Sequence, residues 1–371
     1  MIKHYKIKDI GDFFGGLTGK TKEDFGIGDA KYVTYMTVFS NPQLPDNISD
    51  YVSISDNEKQ NKIQKGDILF TGSSETPDEC GMSCVVTKEI EDDIYLNSFC
   101  FGLRPSNNEI AIPEYLSHYF RSNHARKQIS KTANGVTRFN ISKKILADVE
   151  ILIPSIKEQE KIAEILDSFT NLIDALNEEL SLRQKQFEYY REKLLTFDGC
   201  VKITVEDFCL LKAGKAINAN ELSERCDEMH PYACYGGNGI RGYIGKSSHN
   251  GTYPIIGRQG ALCGCVSWGA GVFYATEHAV VVTAKKGYDS KYLYYLFKNA
   301  NLNQYKSNGA QPGLAVSNLN LLEFSIPSLS IQQSIVEKLD AFESLISSLK
   351  EEISLRQKQY EYYREKLLTF N

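Results

Sequence analysis

The sequence contains no apolar run of about 18 residues, the length that a membrane-spanning helix needs. Its first residues also lack the apolar stretch of a signal peptide. The nine cysteines are irregularly spaced and form no C-x-x-C pair, so neither a disulfide framework nor a zinc motif is indicated. We therefore expect reduced thiols, no bound metal and a cytoplasmic location.

The motifs of common enzymes are missing as well. There is no G-x-S-x-G or H-E-x-x-H motif, no phosphate-binding loop of correct spacing and no N/D-P-P-Y motif of a methyltransferase. His118 and His124 are spaced so that they could not share a metal on one face of a helix. The sequence therefore predicts a protein that is not an enzyme and holds no cofactor itself.

Excess positive charge is also absent. The 371 residues include 42 Lys or Arg against 47 Asp or Glu, which gives a net charge of −5. This balance argues against indiscriminate binding to nucleic acid but allows a local basic face. The hydrophobic content of 42% is ordinary for a globular protein, and the length predicts two or three domains.

What is present is an internal repeat. Residues 178–197 read EELSLRQKQFEYYREKLLTF, and residues 351–370 read EEISLRQKQYEYYREKLLTF. Only Leu180/Ile353 and Phe187/Tyr360 differ between the copies. The segments between the repeats are not visibly alike. The chain thus predicts two different inserts on one repeated frame.

The repeats carry the pattern of long helices. Apolar residues alternate steps of four and three from Ile162 to Phe197 and from Ile335 to Phe370, broken only at Arg183 and Arg356. This period is typical of a coiled coil with one polar interruption, although two helices packed on separate cores would also fit. Capping boxes predict helix starts at Ser155 and at Ser330, about one turn apart in the repeat.

The fold class expected is α+β, with a four-part division of the chain. The parts are a first insert (1–152), a first helix (153–199), a second insert (200–326) and a second helix (327–371). The inserts are predicted to be strand-rich, with strands over 32–38, 67–71, 84–87, 252–256, 262–268 and 279–283 and helices over 112–127 and 290–298.

Connection lengths favour antiparallel helices. Only three residues, 198–200, separate the first helix from the second insert, so the second helix can return along the first without a long connection. A parallel pair would require the second insert to carry the chain back about 54 Å. We therefore expect one insert at each end of an antiparallel two-helix coiled coil with pseudo-twofold symmetry.

Basic residues cluster in the inserts. Residues 115–147 include seven Lys or Arg and no acid, and residues 290–322 include three Lys and no acid. Such stretches suit a DNA backbone, and Arg, Asn and Gln on glycine-rich turns can read base edges, although a solvated helix face or an ordinary hairpin would also explain single residues. The residues predicted to bind DNA are Arg121, Arg126, Lys127, Lys131, Arg138, Asn140, Lys143, Arg241, Arg258, Gln259, Lys285, Lys286, Lys306 and Gln311.

The outward faces of the two helices also match, which seam packing alone does not require. Two copies of one surface would bind two copies of one partner, although a recent duplication would leave the same trace. The residues predicted to dock this partner are Glu188, Arg191, Glu192, Lys193, Glu361, Arg364, Glu365 and Lys366.

Several stretches resemble a known family, the specificity subunits of type I restriction–modification systems. Residues 66–71 (GDILFT) are similar to a strand of its target recognition domains, residues 134–142 (NGVTRFNIS) to the segment that closes such a domain, and residues 151–163 to the start of its spacer helix. The second copy departs from this pattern at 309–314 (GAQPGL), so contacts there are not carried over.

The resemblance implies that each insert reads one half of a bipartite DNA site while the coiled coil sets the spacer between the halves. It implies docking of two methyltransferase subunits, with S-adenosylmethionine, Mg and ATP bound by partner methyltransferase and restriction/translocase subunits. The competing interpretation is a coiled-coil scaffold with two protein-binding heads, which would not depend on DNA. A nuclease or methyltransferase in its own right would need the motifs that are missing.

Overall fold

The computed structural model describes residues 2–55, 57–106, 109–197, 201–260, 262–307 and 312–370. The chain forms two compact units. Unit 1 consists of Met1–Asn177 and Glu352–Asn371, and unit 2 consists of Glu178–Glu351. Each unit therefore contains one insert and a part of both long helices.

The first insert is built from short strands and short helices. They are β1 (Lys3–Lys6), α1 (Ile7–Ile10), β2 (Gly11–Gly15), β3 (Phe25–Val33), α2 (Tyr35–Ser40), β4 (Tyr51–Val52), β5 (Ile68–Thr71), β6 (Ser73–Ser74), β7 (Ser83–Val85), β8 (Ile94–Leu96), β9 (Cys100–Pro105), α3 (Pro113–Tyr119), α4 (Asn123–Ser130), β10 (Ala133–Asn134), β11 (Phe139–Ile141), α5 (Lys143–Ala147) and β12 (Glu150–Ile153). The strands form sheets in the orders β2-β9-β5-β7, β4-β3-β8, β10-β11-β6 and β1-β12.

The second insert is dominated by one large sheet. Its elements are β13 (Lys202–Thr204), α7 (Val205–Phe208), β14 (Cys209–Ala213), β15 (Tyr232–Gly236), β16 (Gly239–Ile244), β17 (His249–Gly257), β18 (Val266–Ala275), β19 (Ala279–Ala284), α8 (Ser290–Asn299), α9 (Val316–Asn320) and β20 (Glu323–Ser325). The six strands of the sheet lie in the order β14-β19-β17-β18-β15-β16, and β13 pairs with β20. The described residues of the two inserts also form three short 3-10 helices: Lys22–Asp24, Ala219–Glu221 and Leu302–Tyr305.

Several strand and helix predictions for the inserts needed correction. Residues 32–38 are not one strand, because β3 ends at Val33 and α2 begins at Tyr35. The predicted helix 112–127 is two helices, since the Ser122 hydroxyl accepts a hydrogen bond from the Ala125 amide and starts α4 anew. The predicted strand 262–268 begins only at Val266, after a turn in which Gly264 has a φ of +88°.

The two long helices are α6 (Ile156–Leu195) and α10 (Leu329–Leu368), each of 40 residues. Both begin after a Pro-Ser pair, and the predicted start at Ser330 is wrong. The Ser155 carbonyl accepts from the Gln159 amide at 3.0 Å, and the Ser328 carbonyl accepts from the Gln332 amide at 3.0 Å. The two starts are therefore equivalent positions of the repeat. The predicted start at Ser155 is confirmed, because α6 begins at the next residue, whereas Ser330 already lies inside α10.

The helices pack against each other in antiparallel fashion inside each unit. In unit 1 the Phe169 and Tyr363 rings stack with centroids 5.4 Å apart. In unit 2 the Tyr190 and Phe342 rings stack with centroids 5.6 Å apart. Seam residues such as Leu166 in unit 1 and Leu339 in unit 2 are fully buried in the hydrophobic cores.

Candidate nucleic-acid interface

Two of the predicted DNA-binding arginines have their donors engaged inside unit 1. The Arg121 guanidinium donates to the carbonyls of Ser83, Val38 and Asn41 at 2.7–3.0 Å. The Arg126 guanidinium donates to backbone carbonyls of the 78–81 turn. Burial lowers the pKa of each guanidinium to about 10. These two side chains hold segments of the insert together, so their donors are not available to DNA.

This difference in role is testable. Arg121→Lys keeps the charge but loses the fork that reaches three carbonyls, so the free energy of unfolding of the protein should fall by about 1–3 kcal/mol. Lys127→Ala is the matched change on an exposed cation of the neighbouring helix, and stability should hardly move. Urea denaturation of both variants measures this, and equal stability of the two would contradict the structural role of Arg121.

The other predicted residues of the first insert are exposed. Lys127 and Lys131 lie on and just after α4, Arg138 and Asn140 belong to the β10–β11 hairpin segment, and Lys143 opens α5. None of the four cations is in an ion pair within the described ranges of the chain. Unneutralised cations along one hairpin and its flanking helices suit a phosphate backbone.

A groove beside this hairpin contains residues that sequence reasoning missed. Arg138 lines it together with Ser73, Ser74 and the exposed side chains of Met36 and Phe99. The Arg138 guanidinium donates to the Ser73 hydroxyl at 3.1 Å and lies 5.7 Å from the Phe99 ring centroid. Exposed apolar side chains next to an arginine can contact bases. No sequence pattern marks Phe99, because its neighbourhood is created by the fold.

In the second insert the structure brings together Arg241, Arg258 and Gln259. Arg258 and Gln259 follow β17, and a Cβ placed on Gly237 would lie 2.4 Å from the Gln259 carbonyl oxygen. The Arg241 side chain lies beside Gly236 in the same turn region. The glycines therefore allow two loops to meet at one end of the strands of the six-stranded sheet. We call these residues, together with Glu277 and His278, the Arg258 cluster, since the Arg258 amide donates to the His278 carbonyl at 2.9 Å.

The remaining predicted residues of this insert are divided. Lys306 lies next to Ser307, whose amide donates to the Gly313 carbonyl, and Gly313 pairs with Gln259. Lys285 and Lys286 instead follow the C-terminal end of β19, whereas Glu277 and His278 precede its N-terminal end. The Lys285 ammonium there donates to the Glu206 carbonyl. Gln311 lies outside the described residues.

The matched outer faces of the long helices are only partly free. The Arg191 guanidinium donates to the Asn299 amide oxygen at 3.3 Å, and Arg364 forms an ion pair with Glu365 at 3.0 Å. The Glu365 carboxylate also accepts from the Asn123 amide at 2.9 Å, at the start of α4. Arg191 and Glu365 therefore tie a long helix to an insert, and Arg364 pairs along its own helix. The other five residues are exposed: Glu188, Glu192, Lys193, Glu361 and Lys366.

Two exposed tyrosines extend the matched faces, and sequence reasoning missed them. Tyr189 is 58% exposed with the Lys193 ammonium 5.7 Å from its ring, and Tyr362 is 61% exposed with Lys366 at 5.8 Å. Leu182 and Leu355 are also exposed on the corresponding helices. The available signal was that these apolar residues lie off the seam yet are identical in both copies.

Among the described residues, no helix combines the length and the apolar character that crossing a membrane requires. The same residues contain no group of three His, Cys, Asp or Glu side chains placed to hold a metal ion.

Comparison with known proteins gives a family match over most of the chain. A family model described as the type I restriction modification DNA specificity domain matches residues 2–182 and 198–355. The specificity subunit of the type I restriction enzyme EcoprrI of Escherichia coli is 44% identical over 206 residues, which cover 53% of this chain and 51% of that subunit. The chain thus spans about half the length of that relative. A putative type I specificity subunit of Mycoplasma pneumoniae is 33% identical over 235 residues, covering 59% of this chain and 92% of that protein.

The solved structures that match have the same fold. The S subunit of a type I restriction–modification system from M. genitalium aligns with a TM-score of 0.63 and 16% identity over 100% of this chain and 97% of that one. An S subunit from Thermoanaerobacter tengcongensis aligns with a TM-score of 0.51 and 15% identity over 99% of this chain and 96% of that one. With two family segments, α+β inserts and a repeated helix, this chain belongs to the family of type I restriction–modification DNA specificity subunits.

Proposed function

We propose that each insert of this protein reads one half of a bipartite DNA site within a type I restriction–modification complex. The observation that carries the proposal is the double match of the DNA specificity family, once over each insert and the helix that follows it. The exposed cations of the β10–β11 segment form the DNA-binding group of the first insert, and the Arg258 cluster forms that of the second. The four-part division at residues 152, 199 and 326 is part of this proposal.

The long helices are proposed to pair as one antiparallel coiled coil that sets the spacer between the half-sites. Support comes from their equal lengths of 40 residues and from the antiparallel aromatic contacts inside each unit. A helix of that length extends about 60 Å, which is compatible with half-sites one to two helical turns of DNA apart.

The matched outer faces are proposed to dock two methyltransferase subunits. The chain itself would perform no chemistry. S-adenosylmethionine would be bound by those methyltransferases, and ATP and Mg by restriction/translocase subunits, in the cytoplasm where the DNA is found. Two copies of one surface suit two copies of one partner.

Mapping of methylated adenines after co-expression with the cognate methyltransferase subunits tests the function. We expect one motif with two specified half-sites separated by a fixed unspecified spacer. Methylation that never appears, or that follows no sequence, would favour the protein-binding scaffold instead.

The exposed tyrosines make the docking proposal quantitative. Tyr189→Ala combined with Tyr362→Ala should weaken methyltransferase binding about 10-fold or more, since exposed aromatic anchors often dominate an interface. Either single change should leave one tight site of two, which titration calorimetry and native mass spectrometry resolve as a change in stoichiometry. Tyr→Phe at both positions is the control and should bind normally. Unchanged affinity of the double Ala variant would refute docking at these faces.

A further inference from the structure

Each insert contains an equivalent backbone hydrogen bond at its candidate interface. In unit 1 the Ile141 amide donates to the Gly72 carbonyl at 2.9 Å, and in unit 2 the Leu314 amide donates to the Arg258 carbonyl at 2.8 Å. The preceding residues pair as well, Asn140 with Ser73 and Gly313 with Gln259. Gly72-Ser73 and Arg258-Gln259 therefore occupy equivalent positions, although their sequences are unrelated.

The side chains at this shared position differ for a steric reason. A Cβ on Gly72 would lie 2.7 Å from the Phe99 carbonyl oxygen, so the first insert cannot carry an arginine there. Its guanidinium comes instead from Arg138 across the strand pair, which bonds to Ser73. In the second insert the position itself holds the arginine. Each insert thus places one guanidinium at the equivalent position, Arg138 in the first insert and Arg258 in the second.

The Arg258 cluster contains buried polar atoms without a partner in the described part of the chain. They are the Arg258 Nε, one Glu277 carboxylate oxygen and the His278 Nδ1. Glu277 contacts His278 at 3.1 Å through its other oxygen, and no ion pair joins Glu277 to Arg258 within the described ranges. These atoms are closed to solvent, but both Arg258 and Glu277 are partly exposed, with 40% of the Glu277 side chain accessible. The accessible part of the guanidinium and of the carboxylate can therefore meet a ligand that offers both acceptors and a donor.

A G·C base pair presents this combination in the major groove. Guanine offers two acceptors, N7 and O6, that fit an arginine fork, and cytosine offers an amino donor that fits a carboxylate. We propose that Arg258 and Glu277 read a G·C pair in the half-site of the second insert, an inference that rests on the proposed function.

The test uses the full chain co-expressed with its methyltransferase subunits, with methylated adenines mapped genome-wide. Arg258→Ala should relax one G·C position of one half-site, with a loss of base discrimination of about 10-fold or more, and leave the other half-site unchanged. Glu277→Gln should relax the same position. Arg225→Ala removes an exposed arginine of unit 2 that was not predicted to bind DNA; it is the charge-matched control and should leave the motif intact.

Arg258→Lys guards against a folding defect, because it keeps the charge and the stem but loses the fork. It should relax the same position as Arg258→Ala. If the wild-type motif is bipartite but these variants keep every base preference, or lower methylation uniformly at all sites, the assignment of Arg258 and Glu277 is overturned while the proposed function stands. If the wild-type complex has no motif at all, the proposed function fails first.

Discussion

Removing seven residues from each long helix is expected to shorten the spacer of the methylated motif by about three base pairs. The segments 177–183 and 350–356 are the same stretch of the repeat, so the deletion preserves the heptad phase and the antiparallel match. Seven residues of helix correspond to about 10.5 Å, and base pairs of DNA are stacked about 3.4 Å apart. Each half-site sequence should stay as it is, because the inserts are untouched.

The methylation rate of this variant should fall, since three base pairs also turn the DNA by about 100°. Insertion of one heptad at the same two places is the complementary control and should lengthen the spacer by about three base pairs. Deletion from only one helix mismatches the pair and should abolish methylation. A motif whose half-site bases changed while its spacer stayed constant would rule out the helices as the ruler.

Replacing the glutamine that follows the start of either long helix is expected to cause a large loss of stability. Gln159 is fully buried, donates to the carbonyls of Ile110 and Pro154 at 3.0 and 2.9 Å, and accepts from the Ile112 amide at 2.9 Å. Gln332 repeats this with the Pro327 carbonyl and the Asp289 amide, both at 2.8 Å. Ile112 and Asp289 are the N-caps of α3 and α8. In each unit one glutamine thus joins the insert helix to the long helix.

Gln159→Leu would leave two carbonyls and one amide buried without partners, at a cost of about 3–5 kcal/mol in the free energy of unfolding. Hydrogen exchange at the Ile112 amide reports this locally and should accelerate by about 100-fold or more. Gln332→Leu should do the same at the Asp289 amide. The control is Gln184→Leu, on the exposed face of α6, which should leave both amides protected. Slow exchange at the Ile112 amide in the Gln159→Leu protein would show that the hydrogen bonds of Gln159 are not needed to hold the start of α3.

The equivalent roles of Gln159 and Gln332 could be predicted only in part from the sequence. Gln159 and Gln332 stand at matching positions of the repeat, so a common role could be anticipated. That they hold the N-cap residues of α3 and α8 could not be anticipated, because those residues lie 47 and 43 positions away in the chain. Such contacts arise from the way an insert folds back onto its helix.

The roles of the basic residues were also only partly predictable from the sequence. The acid-free stretch from 115 to 147 marked a basic region, but it could not separate Arg121, which bonds carbonyls of Val38 and Ser83, from exposed Lys127. A count of charged residues treats an arginine and a lysine in one stretch as equivalent. Their surroundings differ because distant strands approach only one of them.

By itself the sequence determined the repeated long helices and the family to which the chain belongs. These features depend on local periodicity and on residues read in order. Only the tertiary structure decided which cations are engaged internally and that Gly72-Ser73 and Arg258-Gln259 share one position. The reason is that both follow from backbone hydrogen bonds and steric contacts between residues far apart in the chain, such as Leu314 with Arg258 and Phe99 with Gly72.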